Sequence, residues 1–331
     1  MRSRIATDID FERDGRQTSF LRLPYSSDTS GYGWIPIPVA CLRNGVGPTL
    51  LLVGGNHGDE YEGQIAIAEL IRDLDLATLS GRIIALPAAN FPAVMAGRRL
   101  SPIDAGNLNR SFPGDVNGTP TRAIAHFIET ELLPIADVLL DLHSGGASMI
   151  YLPTALARHT NDAKRAAGLE ALLRVFAAPV SVFGSPAGAR EDRTLEAASE
   201  RCGVLNLGIE LGGGAWVTPA ALAIARRGVR RVMRHMGLVA QADDAPATQM
   251  MALDSDDCFV FASEWGLFEP LVELGAEVAA GQAIGRLHCV ETPWRAPKTE
   301  LFRAAGRLVC LRARGRVDRG DCLGHVVTPR G

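Results

Sequence analysis

The stretch from residue 49 to residue 60, TLLLVGGNHGDE, joins an apolar run to a glycine-rich turn and a His-x-x-Glu pair. An apolar run of this length that ends at turn glycines predicts a buried strand followed by a loop. His57 and Glu60 stand three positions apart, where this strand meets a predicted helix. Imidazole and carboxylate groups are both zinc ligands, and this spacing lets them reach one ion. The stretch therefore predicts a metal site at a strand end.

Strand-like and helix-like segments alternate from this stretch up to about residue 238, after two N-terminal strand-like pieces. Short apolar runs predict strands at 50–54, 82–88, 137–142, 149–152, 180–183 and 204–210. Longer segments with a helical period predict helices at 62–74, 121–133, 163–176, 194–201 and 219–236. Apolar strands separated by helices imply an α/β fold with a mostly parallel sheet flanked by helices. Ligands bind such sheets at the carboxyl ends of the strands.

The pattern changes after residue 240. Residues 241–248, QADDAPAT, are small and polar and include a proline, which is typical of a linker. Farther on, VAAGQAIG at 278–285 matches VDRGDCLG at 317–324 at an offset of 39 residues. Two copies of a small β motif predict an all-β domain of the barrel-sandwich type, in the style of lipoyl or biotinyl carrier domains. We therefore predict a catalytic α/β domain at 1–240 and a β domain at 250–331 that covers the substrate cleft.

A carrier function would require a lysine that holds a prosthetic group. The chain contains two lysines, Lys164 and Lys298. Lys298 lies in the sequence APKT, without the Glu-x-Asp-Lys or Met-Lys-Met surroundings of carrier domains. We interpret the β domain as structural or substrate-covering, and a metal-binding or carrier module without catalysis is the alternative from another functional class.

The composition limits the functional classes. With 331 residues, 47% of them hydrophobic, the chain can bury a main core and a smaller second one. A formal net charge of -3 provides no basic field for a phosphate backbone, so we expect no nucleic-acid partner. The sequence shows no signal peptide and no segment of membrane-spanning length, so we expect a cytoplasmic protein without a membrane partner. Six scattered cysteines without a Cys-x-x-Cys pair predict free thiols.

A third metal ligand follows from the strand predicted at 137–142, which leads into Asp141-Leu142-His143. Zinc in hydrolytic sites keeps an open position beside three protein ligands, and two histidines with one glutamate are a standard set. His57, Glu60 and His143 supply that set, so we expect one Zn²⁺ per chain. Asp141 leaves the same strand face as His143 and can orient its imidazole; a capping or turn role is the alternative for this carboxylate.

Two further groups suit amide hydrolysis. Glu210 closes an apolar strand, which predicts a general base, with a structural, ion-paired glutamate as the alternative. The loop 99–114 carries arginines and asparagines, and a loop of this length in a compact domain is usually functional. Arg110 and Asn109 can bind a carboxylate, and Arg98 or Arg99 can stabilise an oxyanion, whereas a solvated basic loop is the alternative.

Four motifs together resemble a known family. They are GNHGDE at 55–60, NLNRSFPG at 107–114, DLH at 141–143 and IELG at 209–212. In this order they are similar to the motifs of the succinylglutamate desuccinylase and aspartoacylase family, which belongs with the zinc carboxypeptidases in fold and mechanism. The resemblance implies a zinc-carboxypeptidase-like α/β fold and an enzyme that hydrolyses linear amides.

The resemblance also implies roles for individual residues. Zinc would be bound by His57, Glu60 and His143. Glu210 would act as the general base and Arg99, with Arg98 adjacent to it, would polarise the carbonyl group. Asn109 and Arg110 would bind the substrate carboxylate.

Within the family, residues 20–26 and 55–63 resemble one branch, the N-α-acetyl-L-2,4-diaminobutyrate deacetylases of bacterial ectoine breakdown. The resemblance implies release of acetate from a small N-acetylated amino acid that carries a side-chain ammonium group. Four acidic residues are candidates for holding that ammonium group: Asp104, Asp115, Glu62 and Glu264.

Other hydrolase assignments remain as alternatives. They are a deacylase of the succinylglutamate or acetylaspartate type, and a zinc carboxypeptidase that trims peptides. The C-terminal β domain favours a deacylase, since in that branch such a domain narrows the cleft and excludes long peptides. The sequence does not decide the oligomeric state, and a homo-oligomer is compatible with it.

Overall fold

A computed structural model describes residues 3–184 and 192–330 of the chain. Its strands are β1 (Gly15–Pro24), β2 (Trp34–Asn44), β3 (Thr49–Gly54), β4 (Gly81–Leu86), β5 (Val138–His143), β6 (Met149–Tyr151), β7 (Thr154–Ala157), β8 (Val180–Phe183), β9 (Leu205–Glu210), β10 (Gln249–Ala252), β11 (Phe259–Phe261), β12 (Gly266–Pro270), β13 (Glu277–Val278), β14 (Ala283–His288), β15 (Lys298–Leu301), β16 (Gly306–Arg312), β17 (Arg316–Val317) and β18 (Cys322–Pro329). Its α-helices are α1 (Tyr61–Asp73), α2 (Phe91–Ala96), α3 (Pro120–Phe127), α4 (Ala163–Phe176), α5 (Leu195–Arg201) and α6 (Pro219–His235). Within these residues, none of the helices combines the length and the apolar character needed to cross a bilayer.

Four parallel strands, in the order β4-β3-β5-β9, form the centre of the larger sheet. All residues of β3 and β5 are buried. Leu50 and Leu52 pack into one core with α1, α4 and α6, whereas Leu51 and Val53 pack into another with α3 and α5. Successive side chains of a strand point to opposite faces, so both faces need helical cover. The predicted α/β class, with a parallel sheet flanked by helices, is confirmed for these strands.

The edges of the sheet differ from the prediction. On one side, β2 pairs antiparallel with β4, and β1 pairs antiparallel with β2. On the other side, β7 pairs antiparallel with β9 and parallel with β8. The strand predicted at 149–152 was wrongly expected in the core sheet, because β6 pairs with β16 of the C-terminal region instead. The place beside β9 belongs to β7, which the sequence did not predict.

One predicted helix needs correction, and one helix was not predicted. The helix expected at 121–133 is α-helical only as far as Phe127 and then widens into a π-helical turn over Ile128–Leu132. Pro134 lacks an N–H and clashes with the preceding turn, so a regular α-helix cannot run through it. The short helix α2 was not predicted. Its six residues are too few for a helical period to stand out.

The C-terminal strands confirm an antiparallel β domain with an internal repeat. Each copy pairs a long first strand with a long third strand, β12 with β14 and β16 with β18. The copies exchange their short strands, because β12 pairs with β17 and β16 pairs with β13. Lys298 lies in β15, opposite Leu287, and not at a hairpin tip. The large sheet continues into this region through β10, which pairs with both β8 and β18, so the boundary between 240 and 250 stays a prediction.

Candidate metal centre and active site

The carboxyl ends of β3, β5 and β9 lie side by side at one edge of the sheet. His143 is the register partner of Glu210, and Gly54 is the partner of Leu142. His57 follows three residues after the end of β3. Because the three strands run in the same direction, residues that are far apart in the chain meet at this edge.

The loop after β3 passes so close to α2 that a side chain would not fit. A Cβ atom at Gly58 would lie 1.9 Å from the carbonyl oxygen of Ala93. The Gly58 amide donates to the carbonyl oxygen of Arg98 over 2.9 Å. This close approach holds the His57 loop against the segment that carries Arg99.

Glu60 joins the two histidines. Its Oε1 lies 2.8 Å from His57 Nδ1, and its Oε2 lies 2.8 Å from His143 Nδ1. Each of the three residues offers one ligand atom, and these atoms lie within 4.8 Å of one another. All three side chains are buried, with at most 7% of any residue exposed. This convergent set of two imidazoles and a carboxylate can hold a metal ion, and it is a donor set that zinc accepts.

The outer nitrogens of both imidazoles have partners of their own. His143 Nε2 lies 2.8 Å from Asp141 Oδ2, which is the contact predicted for this carboxylate. Asn56 Nδ2 donates to both oxygens of Asp141, over 3.2 Å each. His57 Nε2 lies 3.1 Å from Asn107 Oδ1. These contacts place hydrogen on both Nε2 atoms and leave both Nδ1 atoms for an ion.

Asn107 is a residue that the sequence reasoning missed. It belongs to the NLNR motif, and only Asn109 and Arg110 of that motif had been given roles. An asparagine just before a short turn is usually explained by the turn itself, so the contact with His57 has no local sequence signal.

The ionisation of Glu60 and the protonation of His143 depend on each other. Burial opposes ionisation of Glu60, but the neighbouring His57 and His143 outweigh burial and hold its pKa far below the ordinary value. Burial likewise opposes protonation of His143, but Asp141 and Glu60 outweigh it and raise its pKa well above 6.5. The Glu60 carboxylate is therefore ionised, which is the form that binds a metal ion.

Glu210 closes β9 beside this group. Burial raises the pKa of its carboxyl group to about 8, and the positive charges of His143 and Arg99 oppose that rise. Its Oε2 atom is buried and, within residues 3–184 and 192–330, has no hydrogen-bond partner. No ion pair involves Glu210 in this part of the chain. A carboxyl group that changes protonation near neutral pH suits proton transfer better than a structural ion pair.

The two adjacent arginines are placed differently. Arg99 Nη1 lies 3.3 Å from Glu60 Oε1 and 3.3 Å from His57 Nδ1. Arg98 contributes its backbone carbonyl to the loop contact with Gly58, and it is exposed. Of the two, the guanidinium group of Arg99 therefore stands at the candidate metal centre.

Asn109 and Arg110 lie in a short turn over Leu108–Arg110. Asn109 Nδ2 lies 3.4 Å from His143 Nε2, and its Oδ1 accepts a hydrogen bond of 2.8 Å from the Leu195 amide. The amide group is thus held with its N–H₂ toward the site. Arg110 is exposed, and its Nη1 donates to the Asn109 carbonyl oxygen over 2.7 Å.

Comparison with known proteins settles the family. Residues 46–236, more than half of the chain, match the model of the succinylglutamate desuccinylase/aspartoacylase catalytic domain. The chain belongs to this family. It is 40% identical to the N-alpha-acetyl-L-2,4-diaminobutyric acid deacetylase of Halomonas elongata. The alignment spans 323 residues, which are 97% of this chain and 94% of that protein.

Solved structures of family members superpose on nearly the whole chain. The product-bound ectoine utilization protein EutE (DoeB) from Ruegeria pomeroyi has a TM-score of 0.96 at 39% identity, with 99% of this chain and 100% of that chain covered. A succinylglutamate desuccinylase/aspartoacylase from Rhodobacter sphaeroides has a TM-score of 0.94 at 40% identity, with the same coverage. The predicted family resemblance and fold class are therefore confirmed.

Three of the four acidic residues that were candidates for binding a substrate ammonium group contact other groups of the chain instead. Asp104 accepts hydrogen bonds of 2.8 Å from the amide and the hydroxyl group of Thr121, at the start of α3. Asp115 and Glu264 face arginines at 3.9 Å and 3.3 Å. Glu62 is buried in the first turn of α1, with 1% of the residue exposed.

Proposed function

We propose that this chain is a zinc-dependent amide hydrolase that converts N-α-acetyl-L-2,4-diaminobutyrate to L-2,4-diaminobutyrate and acetate in ectoine catabolism. The observation that carries the proposal is the buried His57, Glu60 and His143 group beside Glu210. The relative from Halomonas elongata, 40% identical over nearly the full length, bears the name of that deacetylase and supports the choice of substrate.

The donor set fits zinc, with His57, Glu60 and His143 as ligands. A zinc ion supplies a Lewis acid and lowers the pKa of a coordinated water to about 7. Asp141 and Asn107 contact the two imidazoles at their Nε2 atoms and would leave the Nδ1 atoms free to bind a zinc ion.

The chain's own residues then account for the proton transfers. As water adds to the acetyl carbonyl carbon, the Glu210 carboxylate accepts a proton from that water. When the C–N bond breaks, Glu210 returns the proton to the leaving amide nitrogen, so that acetate and a free amine result. Arg99 stabilises the negative charge that develops on the carbonyl oxygen.

Asn109 and Arg110 bind the α-carboxylate of the substrate in this proposal. The Asn109 amide presents N–H₂ beside His143, and the exposed Arg110 guanidinium can form a bidentate pair with a carboxylate. The C-terminal β domain restricts the cleft to small substrates. This part of the proposal is supported by contacts of the C-terminal strands with the segment after β5, where the Ala313 amide donates to the Ser148 carbonyl oxygen and the Leu152 amide donates to the Val309 carbonyl oxygen, each over 2.9 Å.

A cytoplasmic location is part of the proposal. The support is that all six cysteines are free thiols. Small domains of secreted proteins, of the size of the C-terminal β domain, are often stabilised by disulfides. Free thiols persist in a reducing compartment.

A hydrolysis screen tests the substrate. Purified, metal-analysed protein is incubated with acetyl, succinyl and formyl derivatives of diaminobutyrate, aspartate, glutamate and ornithine, and with a series of peptides. We expect kcat/KM to be highest for the α-acetyl derivative of diaminobutyrate. A preference for acetyl-aspartate would contradict the ectoine assignment, and turnover of long peptides at the same rate would make the chain a carboxypeptidase.

Substitution of Glu210 tests the mechanism. Glu210→Gln should keep the metal content of the wild type and lose about 10² to 10⁴ in kcat, the usual size of a general-base effect. The matched control is Glu131→Gln at an exposed position, which should keep full activity. A fall in metal content in Glu210→Gln would instead identify Glu210 as a ligand.

A further inference from the structure

A buried aspartate stands beside the proposed ligand Glu60, and the proposed mechanism does not use it. Asp59 is 6% exposed and directly precedes Glu60 in the chain. Its Oδ2 accepts a hydrogen bond of 2.8 Å from the amide of Ala147, which is 88 positions away. The contact therefore joins the loop after β3, which carries His57, to the loop after β5, which follows His143.

The loop after β5 approaches this carboxylate so closely that a side chain would not fit. Gly146 has a φ of +54°, in the left-handed region that favours glycine. A Cβ atom at this position would lie 2.8 Å from Asp59 Oδ2. The hydrogen bond and this close approach together fix residues 144–147 against Asp59.

One end of the same loop contacts a proposed metal ligand. The amide of Ser144, which directly follows His143, donates to Glu60 Oε2 over 3.3 Å. That oxygen also lies 2.8 Å from His143 Nδ1. A hydrogen-bond donor on a ligand carboxylate orients it toward the ion. The position of the loop therefore affects the position of Glu60.

The middle of the loop contacts the segment that follows Glu210. The Gly145 amide donates to the Gly212 carbonyl oxygen over 2.9 Å, and the Ala215 amide donates to the Gly146 carbonyl oxygen over 2.8 Å. Gly212 lies two residues after Glu210. Residues 144–147 thus lie between the metal ligands and the segment that carries the proposed base.

We propose that Asp59 is a positioning residue for the metal centre and the base. It holds residues 144–147 in place, so that the Ser144 amide stays on Glu60 and Gly145 stays on the segment after Glu210. Asp59 acts through this loop and not on the substrate. The inference rests on the proposed zinc site and on the proposed role of Glu210. The alternative is a local role, in which the negative charge of Asp59 stabilises the N-terminus of α1.

Asp59→Ala tests the proposal, because it removes the acceptor for the Ala147 amide. We expect zinc to bind about 10-fold more weakly, and kcat at saturating zinc to fall by a similar factor, with KM unchanged. Zinc affinity is measured by competition with a chelator of known affinity. Asp28→Ala, at an exposed position, is the matched control and should keep wild-type values. Wild-type zinc affinity in Asp59→Ala would overturn the proposal.

Asp59→Asn separates positioning from charge. Asparagine keeps an oxygen that can accept from the Ala147 amide, but it carries no negative charge. We therefore expect Asp59→Asn to restore zinc affinity and kcat to nearly the wild-type values. If the charge of Asp59 served only the helix, Asp59→Asn would behave like Asp59→Ala, and this result would contradict the positioning role.

Gly146→Ala perturbs the same contact from the other side, and it keeps the test decisive if Asp59→Ala does not fold. Its Cβ atom pushes against Asp59 Oδ2, so this variant should also bind zinc more weakly. In the Asp59→Ala background the added Cβ atom has more room, so Gly146→Ala should have a smaller effect on zinc affinity there. Equal effects in both backgrounds would show that the two residues are not coupled.

Cobalt substitution keeps this test separate from the proposed function. The visible absorption bands of bound Co²⁺ report ligand geometry without any substrate, and Asp59→Ala should shift them while Asp59→Asn should not. If the wild type hydrolyses no N-acyl amino acid, the proposed function fails, while a band shift with weaker zinc binding still supports the role of Asp59. Turnover by the wild type, with unchanged bands and zinc affinity in Asp59→Ala, contradicts the role of Asp59 alone.

Discussion

Protonation of His325 should destabilise the fold in mild acid. The imidazole is 4% exposed and packs against the rings of Phe259 and Tyr151, with centroids 4.8 Å and 5.6 Å away. Burial lowers its pKa to about 4, whereas the unfolded chain has the ordinary value of about 6.5. Between these pH values the unfolded state binds more protons, so the stabilising contribution is complete above pH 6.5 and is lost as the pH falls toward 4. A difference of about 2.5 units corresponds to about 3 kcal/mol.

His325→Phe removes the titrating group and keeps an aromatic ring. The free energy of unfolding is measured by chemical denaturation at several pH values from about 7 to 4, on zinc-loaded protein. The wild type should lose about 3 kcal/mol more than His325→Phe over this range. The control is His159→Phe, at a side chain that is 60% exposed and meets the Phe183 ring edge to face, and it should follow the wild type. A constant difference between wild type and His325→Phe across the pH range would refute the reasoning.

Three further predictions concern the metal, the loop and a helix cap. Dialysis against a chelator should abolish amide hydrolysis and lower the melting temperature, and added Zn²⁺ should restore both; activity that survives complete metal removal would contradict the zinc assignment. Gly58→Ala places a Cβ atom 1.9 Å from the Ala93 carbonyl oxygen, so the loop must move. Thermal unfolding should show that the free energy of unfolding falls by about 1 to 3 kcal/mol. An unchanged melting temperature would show that the loop accommodates the extra atom. Burial raises the pKa of Asp104, but the hydrogen bonds from Thr121 help to hold that pKa below its ordinary value. Asp104→Ala should therefore lower the free energy of unfolding by about 1 kcal/mol at pH 7, and by progressively less as the pH falls through the native pKa. Chemical denaturation at neutral and acidic pH checks this, and a loss that does not change with pH would contradict it.

Local sequence signals were sufficient for the elements that carry the candidate site. Three apolar runs each predict a buried strand, and the site residues lie at the carboxyl ends of two of them, His143 and Glu210, and three residues past the end of the third, His57. Parallel strands bring such ends to one edge, so the convergence of these residues follows from the fold class alone. The helix at 163–176 was predicted with the observed limits, because Asp162 caps its first turn through hydrogen bonds to the next amides.

Contacts between distant segments were beyond local signals. The NLNR motif shows an asparagine before a turn, but only the folded chain brings Asn107 Oδ1 to His57 Nε2. Arg98 and Arg99 are equivalent in the sequence, and the loop contact with Gly58 decides that Arg99 faces the site. Likewise, residues 149–152 are apolar like those of any buried strand, so their sequence does not show which strand they pair with. Only the fold places β16 beside them.

The sequence by itself determined the α/β class, the internal β repeat and the three residues that can hold a metal ion. These features depend on residue type and on spacing within single elements, which a linear sequence records. The tertiary structure alone decided that β16 of the C-terminal region pairs with β6 and that Cys310 and His325 come to lie beside Tyr151. The physical reason is that backbone hydrogen bonds between strands are chemically alike, so partner choice depends on how side chains pack across the whole sheet and not on the sequence of one strand alone.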